Sequence, residues 1–179
     1  VSILFEENLR RQALMNVAEK MLIAARTAPK ARGVDNLVLS IVDKDEIVKI
    51  ADVMKQMVQQ GEAGDFFIRD ADNILQSDIL VLIGTKINPI GVKHCGLCGF
   101  SDCAEKNKHP DSPCSFNTSD LGIAVGSAVS VAMDARVDNR ILFSAGKAVK
   151  KMQLLGSEAK IIFGIPLSSS GKNIFFDRK

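Results

Sequence analysis

The 179-residue chain contains no tryptophan and no tyrosine, and nine phenylalanines are its whole aromatic complement. Proteins that grip nucleic acid need a concentrated basic stripe, and those that hold single strands add aromatic stacking platforms. Here 23 basic residues stand against 21 acidic ones for a net charge of +2, so nucleic acid is not an expected partner. No apolar run approaches the roughly 20 residues that span a bilayer. The N-terminus also lacks the charged-then-apolar order of a secretory signal, so no membrane partner is expected. Common catalytic signatures are missing: there is no G-x-S-x-G elbow, no G-x4-G-K-[ST] phosphate loop, no H-E-x-x-H zinc helix and no G-x-G-x-x-G dinucleotide loop. Histidine is scarce, with only His94 and His109, and cysteine is absent everywhere except between positions 95 and 114.

That stretch, CGLCGFSDCAEKNKHPDSPC, carries Cys95, Cys98, Cys103 and Cys114 at the spacing C-x2-C-x4-C-x10-C. Cysteines that merely fill a core are scattered among apolar segments, whereas four soft thiolates in one loop make a metal site. They satisfy either an iron–sulfur cluster or a tetrahedral zinc ion. The neighbouring residues favour iron and sulfur. Cluster sulfides carry negative charge that backbone N–H groups stabilise, so the chain must wrap closely around them. Gly96 and Gly99 each follow a cysteine and permit the conformations such wrapping needs, and Pro113 fixes an extended approach to Cys114. Zinc sites usually bring two close pairs of ligands, and here the second close pair is missing. A [4Fe-4S] cluster on the four cysteines is the expectation, with zinc or a dithiol/disulfide pair as alternatives. Four thiolates complete a ligand set, so His94 and His109 are expected in solvent or behind the ligands.

The run Cys95-Gly96-Leu97-Cys98-Gly99-Phe100-Ser101-Asp102-Cys103 resembles, position by position, the CGxCGxxxC signature of small four-cysteine iron–sulfur domains of electron-transfer complexes and corrinoid iron–sulfur proteins. Its final gap, ten residues to Cys114, is shorter than in those domains.

Outside the cysteine stretch the periodicity is regular. Residues 8 to 26 predict an amphipathic helix with Leu9, Ala13, Val17, Met21 and Ala24 on one face, ending before Pro29. Leu37 to Val42 reads as a strand. Lys44 to Gln60 reads as a helix opened by the D-x-x-E pattern of Asp43 and Glu46 and stopped by Gly61, with Met54 and Met57 in its core face. A short segment at Phe66 to Arg69 follows, and Asp70 and Asp72 read as a solvated turn. Asp78 to Gly84 is apolar without alternation, as in a strand buried on both faces. The cysteines begin about ten residues beyond its end, where ligand sites of layered α/β structures gather. Ser119 or Asp120 is expected to cap a helix of small apolar residues up to Val137, packed on all sides. A strand at Arg140 to Ser144, a helix from Gly146 to about Leu155, a strand from Lys160 to Pro166 and a polar tail complete the order.

With Ala24-Ala25-Arg26-Thr27-Ala28-Pro29 and Asn36 near the start, Asp120-Leu121-Gly122-Ile123-Ala124 opening a helix, and Ile162-Phe163-Gly164-Ile165-Pro166 near the end, this order resembles the flavin-dependent nitroreductases. The combination with four cysteines resembles the ferredoxin-domain-containing proteins of anaerobic bacteria and archaea. The resemblance implies an α+β fold: a three-layer arrangement with a central mixed sheet flanked by helices, forming one domain over residues 1–179, with residues 86–118 as a cysteine-rich insert. It also implies a homodimer that binds FMN, with Arg26, Thr27, Pro29, Lys30, Asn36 and Arg178 as the flavin contacts carried over by position. The family's R-R-S-x-R and A-L-G-L-G segments have no counterpart here, which leaves a flavin-free descendant of the fold open.

The expected protein is therefore an iron–sulfur electron-transfer protein, either an FMN-dependent oxidoreductase with a cluster relay or a non-enzymatic metal-binding module. Its counterpart would be a redox partner protein or a small-molecule electron acceptor. Reduced cysteines point to the cytoplasm.

Overall fold

A continuous apolar run can be buried only between two layers, and Ile79–Lys86 is buried in this way in the computed structural model, which describes residues 3–176. In chain order the elements are α1 (Glu6–Thr27), a 3-10 turn (Ala31–Gly33), β1 (Leu37–Val42), α2 (Lys44–Gln59), α3 (Phe66–Leu75) and β2 (Ile79–Lys86). There follow α4 (Cys103–Asn107), α5 (Ser115–Asp134), β3 (Asp138–Asn139), α6 (Phe143–Lys151) and β4 (Ala159–Ser168). The strands form one sheet in the order β1-β2-β4-β3.

The fold is α+β in three layers, as expected, but among the described residues every strand pairing is antiparallel, so the sheet is not mixed. The reason lies in the long connection from β2 to β4. It passes through α4, α5, β3 and α6 and returns the chain to the end at which β2 finished, so β4 enters in reverse, with Ala159 opposite Lys86 and Leu167 opposite Ile79. The ladder is irregular at Thr85 and Lys86, where the chain leaves the sheet.

Alternation along β2 divides the core. Ile79, Val81 and Ile83 face α1 and α5, while Leu80 and Leu82 face α2, α3 and α6. On the first face α1 buries Leu14, Ala18, Met21 and Ala25. This line is rotated from the expected one, and Leu9 is exposed. Small side chains explain the choice: Ala18 and Ala25 join the same cluster as Ala124 and Ala128 of α5, so two helix backbones can approach closely. On the second face α2 buries Ile47, Ile50, Ala51, Met54 and Met57, so both methionines are core residues.

Further expectations are corrected. Phe66 opens a full helix, and Asp70 is no solvated turn residue. It lies on the same buried face as Phe67, Ala71 and Ile74, where its carboxylate accepts a 2.6 Å hydrogen bond from Ser144 Oγ and pairs with Arg69. Residues 140–144 do not form a strand; a single bridge from Leu142 to Gly164 is followed at once by α6. The long helix α5 starts at Ser115 with Cys114 at its N-cap, so Ser119 and Asp120 lie inside it. Nor is α5 covered all round, since Ile123 and Met133 are 46% and 64% exposed. Among the described residues no helix is long and apolar enough to cross a membrane.

At Gly146, α6 lies directly against the backbone of β4. A Cβ built on Gly146 would stand 1.8 Å from the carbonyl oxygen of Ile162, a backbone atom that cannot rotate away. Gly146→Ala is therefore expected to cost about 1–3 kcal/mol or more through overpacking, read as a lower denaturant midpoint at unchanged slope.

Candidate metal centre

The segment between β2 and α5 carries the four cysteines, and its base is fastened to the fold by side-chain amides. The Asn88 N–H donates to Asn117 Oδ1 at 2.8 Å, and Asn88 Nδ2 donates to Asn36 Oδ1 at 3.1 Å. Arg32 reaches across to donate to the carbonyls of Ile90 and Gly91. The exit of β2 is thereby tied to the entry of β1, the first turn of α5 and the turn after α1.

All four thiols are free, and Cys95, Cys98, Cys103 and Cys114 line one pocket together with Gly96, Phe100, Asp102, Lys106 and Phe116. Gly96 and Gly99 both have positive φ, 60° and 84°, so the two glycines carry the left-handed turns of the wrap. Cys103 is the first residue of α4, whose N-cap Asp102 accepts from the Glu105 N–H at 2.8 Å. Cys114 is the N-cap of the 20-residue helix α5 and is 6% exposed. It stands at the positive end of the helix dipole, although its sulfur takes no capping hydrogen bond.

Among the described residues no three His, Cys, Asp or Glu side chains converge on a point where they could hold one ion. Four thiols around one pocket are a donor set that suits an iron–sulfur cluster or a zinc ion. The pocket encloses about 10 Å³ as it stands, about the space of one water molecule, so seating a cluster requires the loop side chains to move outward. His94 is exposed with φ 56° and does not line the pocket. His109 stacks on Phe100, ring centres 5.0 Å apart, which places it behind the pocket wall.

The candidate flavin contacts do not come together. Pro29 and Lys30 line a groove of about 310 Å³ with Leu97, Phe116, Asp120 and Ile123, and Phe116 and Ser115 border both this groove and the cysteine pocket. Asn36 opens instead onto a separate groove with Asp35, Lys86 and Lys160. Thr27 turns its hydroxyl back to the carbonyls of Ile23 and Ala24. Arg178 lies outside the described residues.

The cations proposed for the flavin phosphate are engaged within the chain. Lys30 Nζ donates to the carbonyls of Ala25, Arg26 and Ala28, closing the C-terminus of α1. Arg26 pairs with Asp35 at 2.6 Å and donates to the Leu37 carbonyl. As they stand, these two do not fit an FMN phosphate. Sequence reasoning also missed two residues. Asp120, read as a cap of its own helix, accepts from the Ala31 N–H at 3.1 and 3.2 Å and locks the turn after α1 onto α5. Lys106, in the polar run after Cys103, is buried in the cysteine pocket, and no local sequence signal marks it.

A family model described as "Uncharacterized protein containing a ferredoxin domain" matches residues 110–178, which includes Cys114 but not the other three cysteines. An uncharacterized protein of Archaeoglobus fulgidus is 37% identical over 183 residues, covering 98% of this chain and 97% of that protein. Among solved structures, a nitroreductase family protein from Clostridium novyi NT superposes with a TM-score of 0.60 at 13% identity, covering 89% of this chain and 77% of that one. An oxidoreductase containing FMN superposes with a TM-score of 0.59 at 11% identity, covering 88% and 67%. At such identities the likeness establishes the fold, which is the nitroreductase-like α+β arrangement.

The Arg26–Asp35 pair fastens the end of α1 to the start of β1 and gives a pH test. Partial burial pushes the Asp35 carboxyl up, but the Arg26 guanidinium and the Leu37 N–H outweigh it and the net shift is downward. A carboxyl lowered in the folded state adds stability above its unfolded pKa of about 3.9 and loses it as pH falls below that value. Asp35→Asn is expected to lose about 1 kcal/mol or less at neutral pH, since the pair is partly exposed. In urea titrations its difference from wild type should shrink as pH falls below about 4.

Proposed function

We propose that the chain, which belongs to one family with the uncharacterized Archaeoglobus fulgidus protein, is an iron–sulfur electron-transfer protein holding a [4Fe-4S] cluster on Cys95, Cys98, Cys103 and Cys114, a reading supported by the match of residues 110–178 to the family described as containing a ferredoxin domain. One observation carries this reading: four free thiols line a single pocket. A cluster bound there would supply one-electron transfer at a potential set by its net charge, hydrogen bonding and exposure.

The chain's own contribution is to hold and shield the sulfurs. Residues 86–118 act as an insert that carries Cys95, Cys98 and Cys103 on the partly exposed side of the pocket, where a redox partner protein or a small-molecule acceptor can approach. Cys114 anchors the set to the core through α5. The left-handed turns at Gly96 and Gly99 wrap the chain around the sulfurs, and Phe100 and Phe116 limit water on the pocket wall. Ile23 of α1 and Ile123 and Met133 of α5 are exposed apolar residues, consistent with a homodimer. The reduced thiols suit the cytoplasm.

A second reading, an FMN-dependent oxidoreductase, is favoured by the apolar-walled groove beside Pro29, which shares Ser115 and Phe116 with the cysteine pocket. Its phosphate would need a cation other than Arg26 or Lys30 as they now stand.

Anaerobic purification and reconstitution test both readings. The expected product contains iron and acid-labile sulfide in equal amounts with a broad absorbance near 400 nm. Serine in place of Cys95, Cys98, Cys103 or Cys114 should abolish or sharply reduce occupancy. Stoichiometric zinc without sulfide would overturn the electron-transfer reading in favour of a structural metal. Retention of FMN through gel filtration would establish the second reading, and its loss would leave the cluster acting alone.

A further inference from the structure

Lysine is seldom fully buried unless its charge is matched, and a buried unmatched ammonium is costly. Lys106 is 2% exposed and is counted among the largest fully buried side chains of the protein. Its position is fixed by α4: its N–H donates to the Asp102 carbonyl, and its own carbonyl accepts from the His109 N–H. Among the described residues its side chain makes no ion pair and no hydrogen bond.

The carboxylates that could have matched it are turned elsewhere. Asp102, on the wall of the same pocket, caps the Glu105 N–H. Glu105 pairs with Lys108 at 2.7 Å and lies 3.9 Å from His109. The remaining anionic groups that share the pocket with Lys106 are the sulfurs of Cys95, Cys98, Cys103 and Cys114 once deprotonated.

We propose that Lys106 is the resident counter-cation of the four-cysteine site, placing a fixed positive charge and up to three N–H donors against the ligated sulfurs. The inference rests on the cluster reading above. Four thiolates make the loaded site anionic, and each electron added makes it more so. A fixed buried cation therefore favours the loaded site over the empty one, and the reduced state over the oxidised one. Lys106 is a positioning and tuning residue and does not itself ligate. It also accounts for the cost of burying a lysine in a loop whose other lysines, Lys93 and Lys108, remain in solvent.

The test uses the full chain, reconstituted anaerobically with iron and sulfide, as wild type, Lys106→Arg, Lys106→Met and Lys106→Gln. Iron and sulfide content is measured first, then the reduction potential by spectroelectrochemistry and the rate of iron loss to a chelator. Lys106→Arg should retain a potential near that of wild type. Lys106→Met and Lys106→Gln should show a more negative potential and several-fold faster iron loss. Equal potentials and equal loss rates at full cluster content would overturn the inference and leave the cluster reading intact. A wild type that takes up zinc and no sulfide would overturn the cluster reading and the inference with it. The metal-free proteins supply a control for folding. Lys106→Met should be at least as stable as wild type to urea, because it replaces a 2% exposed lysine that has no ion-pair partner with an apolar side chain of similar size. A destabilised metal-free Lys106→Met would show that the lysine pairs within the fold and would overturn its assignment to the sulfurs.

Discussion

Ile79 to Ile83 are all buried, and because a strand points successive side chains to opposite faces, these residues require a layer of helices on each side. At roughly 1.5–3 kcal/mol for each large apolar side chain removed from water, the burial of these five residues is comparable in size with a typical domain's whole net margin of about 5–15 kcal/mol. The two layers follow: α1 and α5 on one face, and α2, α3 and α6 on the other. The position of the cysteines follows as well. The chain can leave such a strand only at its end, so the segment after Lys86 lies outside the layers and returns to them where α5 begins. Cys114 sits at that return and is buried with the core, while the three earlier cysteines remain on the looser side of the pocket.

A second consequence concerns charge. Helices that end inside a packed structure leave carbonyls without partners, and α1 ends against β1 and α5. Lys30 satisfies three of those carbonyls, and Arg26 is held by Asp35 and the Leu37 carbonyl. Cations that by position resemble phosphate ligands thus serve the architecture of the turn after α1. In the cysteine pocket the order is reversed, since Lys106 stands where local structure asks nothing of its charge. The two positions differ in what surrounds them, carbonyl oxygens in one case and sulfurs in the other.

Much of the fold was legible because burial imposes periodicity. The uninterrupted run of β2, the helical spacing of Ile47, Ile50, Ala51 and Met54, and the apolar residues of β4 each announce their element. The errors fell where tertiary partners decide. Asp70 looked solvent-facing until Ser144 and Arg69 supplied its partners, and Leu9 looked buried until the small residues of α5 selected a different face of α1. The start of α5 is masked in the sequence because Ser119 and Asp120 resemble a cap. Pro113 and the extended Cys114 open the helix earlier, and the carboxylate of Asp120 is used on Ala31 instead.

The sequence by itself determined the candidate donor set, since four thiols within one short segment, set among glycines, stand together whatever the fold around them. It also determined the layered α+β class, because period and apolar content are local properties of the chain. Tertiary structure alone decided the sheet's antiparallel sense, which depends on where the β2–β4 connection returns. It decided too that Arg26 and Lys30 are engaged and that Lys106 is buried beside the sulfurs. Those outcomes depend on which groups meet across long separations in the chain, and no local pattern encodes the distance between a side chain and a partner that the fold has yet to bring near.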